Sequence, residues 1–376
     1  KLVFDGTNTL PNFTLGCYNI CGTLDVNQDF SMFSTTVNMS PGAKILVRSG
    51  KTLNLIVTNL IGCNTMWQGI ELESGANINW VGGSIQDAQY GINCIGQTNI
   101  SYGVGCNFKN CYVGIHSPPS IFKIINTPIF SENVFDFTGF KPFFAGQNPT
   151  PQSRTFAGIE INNSVMILNS GVNIFNDLQN GIVARSCGIK VNNCEFNRIG
   201  NVSLPFTFCN PEYLYSSPDA FAIYGLNSLL FAEENKINIA RGGIIANNCY
   251  MDVRNNNPIN QCIDGIASVN CNWGYQIIDN NEIHNFGVRG ISILTPISVM
   301  PVITNNKLSS PSLRPRTDNC EGIVGIYLKH SHGEGQIENN NPIDITGDAR
   351  GIWLRNSANN GLQANIVNIT TAKLAS

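Results

Sequence analysis

Charged side chains are scarce in this chain. Its 22 Lys and Arg and 25 Asp and Glu make up 12% of the residues, about half the usual share. Long amphipathic helices carry such charges on their solvent face, so few of them are expected. A formal net charge of −3 leaves no electrostatic footprint for nucleic acid or an anionic membrane. No run of about 20 apolar residues occurs, so no membrane insertion is expected. The most apolar window, Gly290 to Thr304, is broken by Pro296 and Pro301. The chain opens at Lys1 without a signal-peptide pattern, which reads as a processed protein or a segment of a larger one.

Zinc-ligand spacing of Cys and His is missing too. The 13 cysteines are odd in number and too dilute for a small disulfide scaffold. Only Cys17 and Cys21 lie close together outside the repeat described next; a local disulfide and a buried or free pair are both open for them. The remaining cysteines fall at repeat positions, where small buried hydrophobes are expected.

What is present is a repeat. A series of Gly-Ile dipeptides runs through Gly69, Gly91, Gly114, Gly158, Gly181, Gly243, Gly265, Gly290, Gly325 and Gly351, with gaps of 22, 23, 44, 23, 62, 22, 25, 35 and 26 residues. A period near 22–26 residues marks a solenoid. Around each glycine the residues alternate, as in Gly-Ile-Glu71-Leu72 and Gly-Ile-Tyr327-Leu328, which predicts a strand with Ile facing inward. Asn-Asn pairs follow about 14–16 residues later, as Asn256-Asn257, Asn280-Asn281, Asn305-Asn306 and Asn340-Asn341. Asn tolerates left-handed backbone and can form amide ladders, so these pairs predict stacked corners. A column of small residues, Ser164, Cys187, Cys249, Cys271, Ser331 and Ser357, predicts another tight corner.

These features predict an all-β fold, a right-handed parallel β-helix of about a dozen coils over residues 41–376, with residues 1–40 as a strand-rich cap. Hidden coils are expected at Phe221-Ala222-Ile223 and at Ala43-Lys44-Ile45. Excess length near residues 139–157, 200–220 and 309–322 predicts three long loops leaving one corner. Their aromatics include Phe143, Phe144, Tyr213 and Tyr215, a candidate binding surface, with simple loop tolerance as the alternative.

From Met66-Trp67-Gln68-Gly69-Ile70 through Ile85-Gln86-Asp87-Ala88-Gln89-Tyr90-Gly91-Ile92, the chain resembles β-helix modules of large secreted bacterial surface proteins. Its later Asn-rich coils resemble the repeats of pectate lyases and polygalacturonases. The resemblance implies an extracellular or cell-surface setting and two possible roles. One is a structural or adhesive module, possessing no catalytic set. The other is a calcium-dependent polysaccharide lyase or glycoside hydrolase. The Asp-Asp, Gly-His-Gly and Arg-x-Lys elements of polygalacturonases are absent, so the module is the preferred reading and no cofactor is expected beyond calcium.

The best catalytic candidates are Asp264, Glu282, His284 and Arg289. Asp264 and Arg289 each precede a repeat glycine, which predicts an ion pair about 5 Å apart on consecutive coils. His116 and Glu160 are aligned similarly and read as a surface pair. Tyr327 and Trp353 share an outward position that is extended by Val183, Ile245 and Ala267. The expected roles of that strip are sugar binding, cover by a loop, or lateral contact with a subunit. Partners are expected to be further domains of the same polypeptide, which would cover the last coil, or neighbouring subunits, with surface polysaccharide as a further candidate.

Overall fold

The computed structural model describes residues 12–120, 122–144, 154–169, 171–200, 215, 218–271, 275–294, 300–310, 322–329, 335–346, 349–355, 361–363, 365 and 367–370. These residues contain no helix, and the chain is a parallel β-solenoid of about 11 turns. It divides into two compact units, Lys1–Val183 and Ala184–Ser376.

The Gly-Ile repeat becomes a stack of parallel strands. In the first unit Leu24 pairs with Ile45, then Ile70, Ile92, Ile115 and Ile159 follow rung by rung. In the second the series is Ile223, Ile244, Ile266, Ile291, Ile326 and Ile352. Both hidden coils are therefore present. The isoleucines from Ile45 to Ile326 in these two series are fully buried, and burying each contributes about 1.5–3 kcal/mol. Parallel pairing begins at Phe13, because Phe13–Ile20 pairs with Phe30–Met39 and Thr23–Val26 with Lys44–Val47. Residues 13–39 are thus stacked turns like those that follow.

Each full turn of the second unit holds three strands, as in Arg289–Leu294, Met300–Thr304 and Lys307–Ser310. We call them the glycine, middle and closing strands. The glycine is there because the neighbouring coil leaves no room for a side chain. A Cβ built on Gly265 would lie 2.6 Å from the carbonyl oxygen of Gly290 and 2.6 Å from Ile283 Cγ2. In the first unit the same space lets Phe108, Phe135 and Phe175 stack, with ring centroids 4.8 and 4.7 Å apart.

The asparagine corner divides its two tasks between consecutive residues. Glu234, Asn255, Asn280, Asn305 and Asn339 take left-handed φ values of 53–56°, while the residue after each is buried and faces inward. Those buried amides form a ladder: Asn235, Asn256, Asn281, Asn306 and Asn340 each donate Nδ2–H to Oδ1 of the next, ending on Asn365, at 2.8–3.0 Å. Each backbone N–H donates to the same oxygen. The two proline-bearing coils carry one extra residue between the ladder amide and the next strand. Asn256, not Asn257, therefore aligns with Asn281, and Asn340 aligns with Asn306.

The small-residue corner is a second ladder. Cys187 N–H donates to Ser228 Oγ (3.1 Å), Ser228 N–H to Cys249 Sγ (3.3 Å) and Cys249 N–H to Cys271 Sγ (3.1 Å). Ser331 and Ser357 lie outside the described residues. Among the described residues eight cysteines are buried, and Cys17, Cys21 and Cys63 are exposed; these eleven are free thiols. Burial pushes the Cys94 thiol up to about 11 and that of Cys262 to about 12, so these sulfurs are protonated and inert at neutral pH. Native-state alkylation with iodoacetamide, followed by peptide mapping, is expected to label Cys17, Cys21 and Cys63 while Cys94, Cys106 and Cys249 react only after denaturation. Rapid native labelling of the buried set would contradict this assignment.

Candidate functional site

Outward side chains of the glycine strands are the natural place for a site, because a rigid sheet fixes their spacing. In the first unit the position after isoleucine places Glu71, Asn93, His116 and Glu160 on successive rungs. Lys44 Nζ is 3.3 Å from Glu71. His116 Nδ1 lies 2.9 Å from Asn93 Oδ1, and its Nε2 3.9 Å from Glu160. The Tyr90 ring stacks on His116 at 4.1 Å. Lys44, Gln68, Glu71, Gln89, Tyr90 and Asn93 border a cleft of about 110 Å³. Burial, then the Glu160 carboxylate, raises the Tyr90 phenol above its ordinary value. Glu71 and Glu160 stand three rungs apart, ~14 Å along the stack, beyond the roughly 5–9.5 Å that a glycosidase carboxyl pair spans.

The described start of the first long loop, residues 139–144, packs back onto the stack. Met66 N–H donates to Pro142 O (2.8 Å), and Lys141 Nζ is 2.9 Å from the buried Asp87 carboxylate. Phe143 and Phe144, expected as a binding surface, are half-buried against the cluster of Met66, Tyr112 and Val113. Residues 145–153, 201–214 and 311–321 of the three loops lie outside the described residues, and Tyr213 with them.

The second unit corrects the expected outward strip. Tyr224, Ile245, Ala267, Ser292 and Tyr327 follow one another in register, and all are fully buried. Val183, in the first unit, is buried as well. Tyr215, from the second long loop, accounts for part of this cover. Its hydroxyl donates to Asp264 Oδ2 (2.5 Å), while its carbonyl accepts from Tyr224 Oη (3.0 Å) and Asn247 Nδ2 (2.9 Å). With 2% exposure for Tyr215 and 0% for Tyr327, neither can serve as an exposed binding residue. Trp353 remains half-exposed, with Tyr327 at 4.9 Å on one side and the Arg350 guanidinium 3.9 Å over its ring.

Asp264 and Arg289 are register partners on adjacent rungs, as expected, and each is only 2% exposed. The Arg289 guanidinium lies 4.4 Å over the Tyr327 ring. Burial, then the Asp264 carboxylate, pushes the Tyr215 phenol well above its ordinary value. This cluster is a buried fastening between loop and sheet. Glu282 and His284 occupy the closing strands. Lys307 Nζ lies 2.7 Å and His284 Nε2 3.7 Å from Glu282, and His284 Nδ1 lies 2.7 Å from Ser309 Oγ. The Lys307 hydrogen bond holds the Glu282 carboxyl below its ordinary value against an opposing burial effect. The four catalytic candidates therefore form two pairs on different strands of the turn. Among the described residues no group of three or more His, Cys, Asp or Glu is arranged to hold a metal ion.

The sequence reading missed a buried lysine. Lys123, 1% exposed, donates to Ser117 Oγ (2.9 Å), which is 2.8 Å from Ser164 Oγ. Its sequence context, Phe122-Lys123-Ile124, gives an ordinary surface pattern and no sign that the cation points inward.

No protein-family model matches the chain, and no curated protein matches it. Among solved structures it is similar to the catalytic domain of a GH87 α-1,3-glucanase variant in complex with tetrasaccharides, at 10% identity and a TM-score of 0.20. That alignment covers 96% of this chain and 64% of the glucanase chain. Likeness at this level carries nothing about chemistry.

Proposed function

We propose that this chain is a non-enzymatic structural or adhesive module of a large extracellular or cell-surface protein. The observation that carries the reading is the closed outer face of the second unit. There the Tyr215 hydroxyl occupies Asp264, one of the candidate acids, and buries it. Glu282, the other, is engaged by Lys307 and His284. Carboxylates held this way contribute to cohesion and are unavailable to protonate or attack a sugar. The extracellular setting follows from the resemblance to surface-protein modules.

The test is to incubate the full chain with a panel of neutral and acidic polysaccharides, with and without calcium. No reducing or unsaturated ends should appear above the no-protein blank. Calcium-dependent release of unsaturated ends would establish the lyase alternative in its place, and release of reducing ends the hydrolase.

A further inference from the structure

Among the described residues three thiols stand exposed, those of Cys17, Cys21 and Cys63 in the first unit, and the rungs hold them apart. Ile20 pairs with Met39 and Met39 with Gly62, so Cys21, Ser40 and Cys63 occupy the next position on three successive rungs. Ser40 N–H donates to Ile20 O and Cys63 N–H to Met39 O, both at 2.9 Å, which carries the register into that column. Two rungs at ~4.8 Å each put the α-carbons of Cys21 and Cys63 ~9.6 Å apart. Cys17 is ~10 Å from Ile20 along their strand, and Cys21 lies one residue beyond. A disulfide needs α-carbons within roughly 7 Å, so neither pair can close within one molecule. The local disulfide left open for Cys17 and Cys21 is thereby excluded. The eight buried cysteines offer Cys21 no partner from inside the folded stack.

Cys21 is the thiol best placed to react outward. It sits at a corner and is followed by Gly22 at φ 86°, where an added Cβ would meet no atom within 4 Å. Ser40 Oγ lies 2.9 Å from its sulfur, so the sulfur is held on the side of the following rung while the approach over Gly22 stays clear. We infer that Cys21 is a site of covalent coupling, and that its partner is Cys21 of a second copy of the chain. A two-fold contact brings the same residue of both copies to the axis, so one exposed corner thiol on each is sufficient. No charged residue occurs in 11–24 or 30–43; this removes like-charge repulsion between two such corners, while the thiol selects the partner. The inference rests on the extracellular setting proposed above, because disulfides persist in oxidising compartments. A low-molecular-weight disulfide such as oxidised glutathione is the oxidant. The Cys21 thiolate attacks one of its sulfurs and releases one glutathione thiolate, and the Cys21 thiolate of the second copy then displaces the other. Two protein thiols become one disulfide, and one glutathione disulfide becomes two glutathione thiols, which take up the two protons.

The test is to equilibrate the full chain, first reduced, in a buffer of reduced and oxidised glutathione, then to run non-reducing gels and map the peptides. A dimer that reductant dissolves is expected, with a Cys21–Cys21 cross-linked peptide. Cys21→Ser should melt as the wild type does and lower the dimer yield at least tenfold, whereas Cys63→Ser should leave it unchanged. A chain that stays monomeric, with or without glutathione on Cys21, overturns the inference. So does a dimer that Cys21→Ser retains, or an internal disulfide from Cys21 to Cys209 or Cys320, which lie outside the described residues. The oxidant is supplied and no glycan is present, so the result stands apart from where the chain resides and from whether it cleaves polysaccharide.

Discussion

Gly265→Ala is expected to lower the stability of the second unit by about 3 kcal/mol, the upper part of the range for overpacked cores. The added methyl would lie 2.6 Å from a backbone carbonyl and 2.6 Å from Ile283 Cγ2. Ile283 can rotate, but Gly290 O belongs to a strand held by pairing on both sides, so relief requires separating two coils. Gly16→Ala is the control: its nearest neighbour is a Tyr18 ring carbon at 3.6 Å, and its effect should stay within about 0.5 kcal/mol. Urea denaturation followed by circular dichroism compares the two. Repeat arrays can unfold in parts, so the early transition is the quantity to follow. Equal midpoints for the two variants would show that the repeat glycine does not answer to the close approach of coils.

Asn281→Leu should be of similar or greater severity, about 3–5 kcal/mol, because it strands several buried groups at once. Asn281 Oδ1 accepts from both the backbone N–H and Nδ2 of Asn256 (3.1 and 2.8 Å). Its Nδ2 donates to Val253 O, Asp279 O and Asn306 Oδ1. Leucine has comparable bulk but leaves these partners without water or replacement. The adjacent Asn280→Ala removes an exposed amide with its hydrogen bond to Asn255 Oδ1 (2.8 Å) and a residue suited to φ 53°, and should cost about 1 kcal/mol. Thermal melts of both variants decide whether the inner or the outer asparagine of each pair matters more. If Asn280→Ala proves the more damaging, corner geometry and not the ladder holds the coil.

The solenoid was legible because its strongest signal is local and repeated. Glycine precedes the buried isoleucine on most rungs, so the columns through Ile70, Ile159 and Ile291 could be read from spacing alone. The asparagine corner was legible in kind but slipped by one residue where Pro258 and Pro342 follow, since counting cannot tell the turning amide from the buried one. Ser228 went unread in the cysteine corner because its coil lacks the Gly-Ile marker. The outward face failed for a different reason. Nothing around Tyr327 or Ile245 shows that Tyr215, dozens of residues away from either, belongs to a loop that folds back over the sheet. Alternation in a strand reports which side a residue faces, and says nothing about what lies on that side.

The inner asparagine ladder also has a direction. From Asn235 to Asn340, each side-chain oxygen accepts from the turn before it and each backbone N–H donates to the turn that comes later, while each Nδ2 donates both to that later turn and to a carbonyl of the preceding one. The backbone N–H of a ladder asparagine is therefore satisfied only when its successor is in place, whereas its amide is already anchored to the turn before. A polypeptide emerging from its N-terminal end would finish every coil with unmet donors facing the segment still being synthesised, and the next coil would arrive carrying the matching acceptor. The hydrogen bonds that lock the finished stack thus also give its assembly an order, one coil templating the next in the direction of translation.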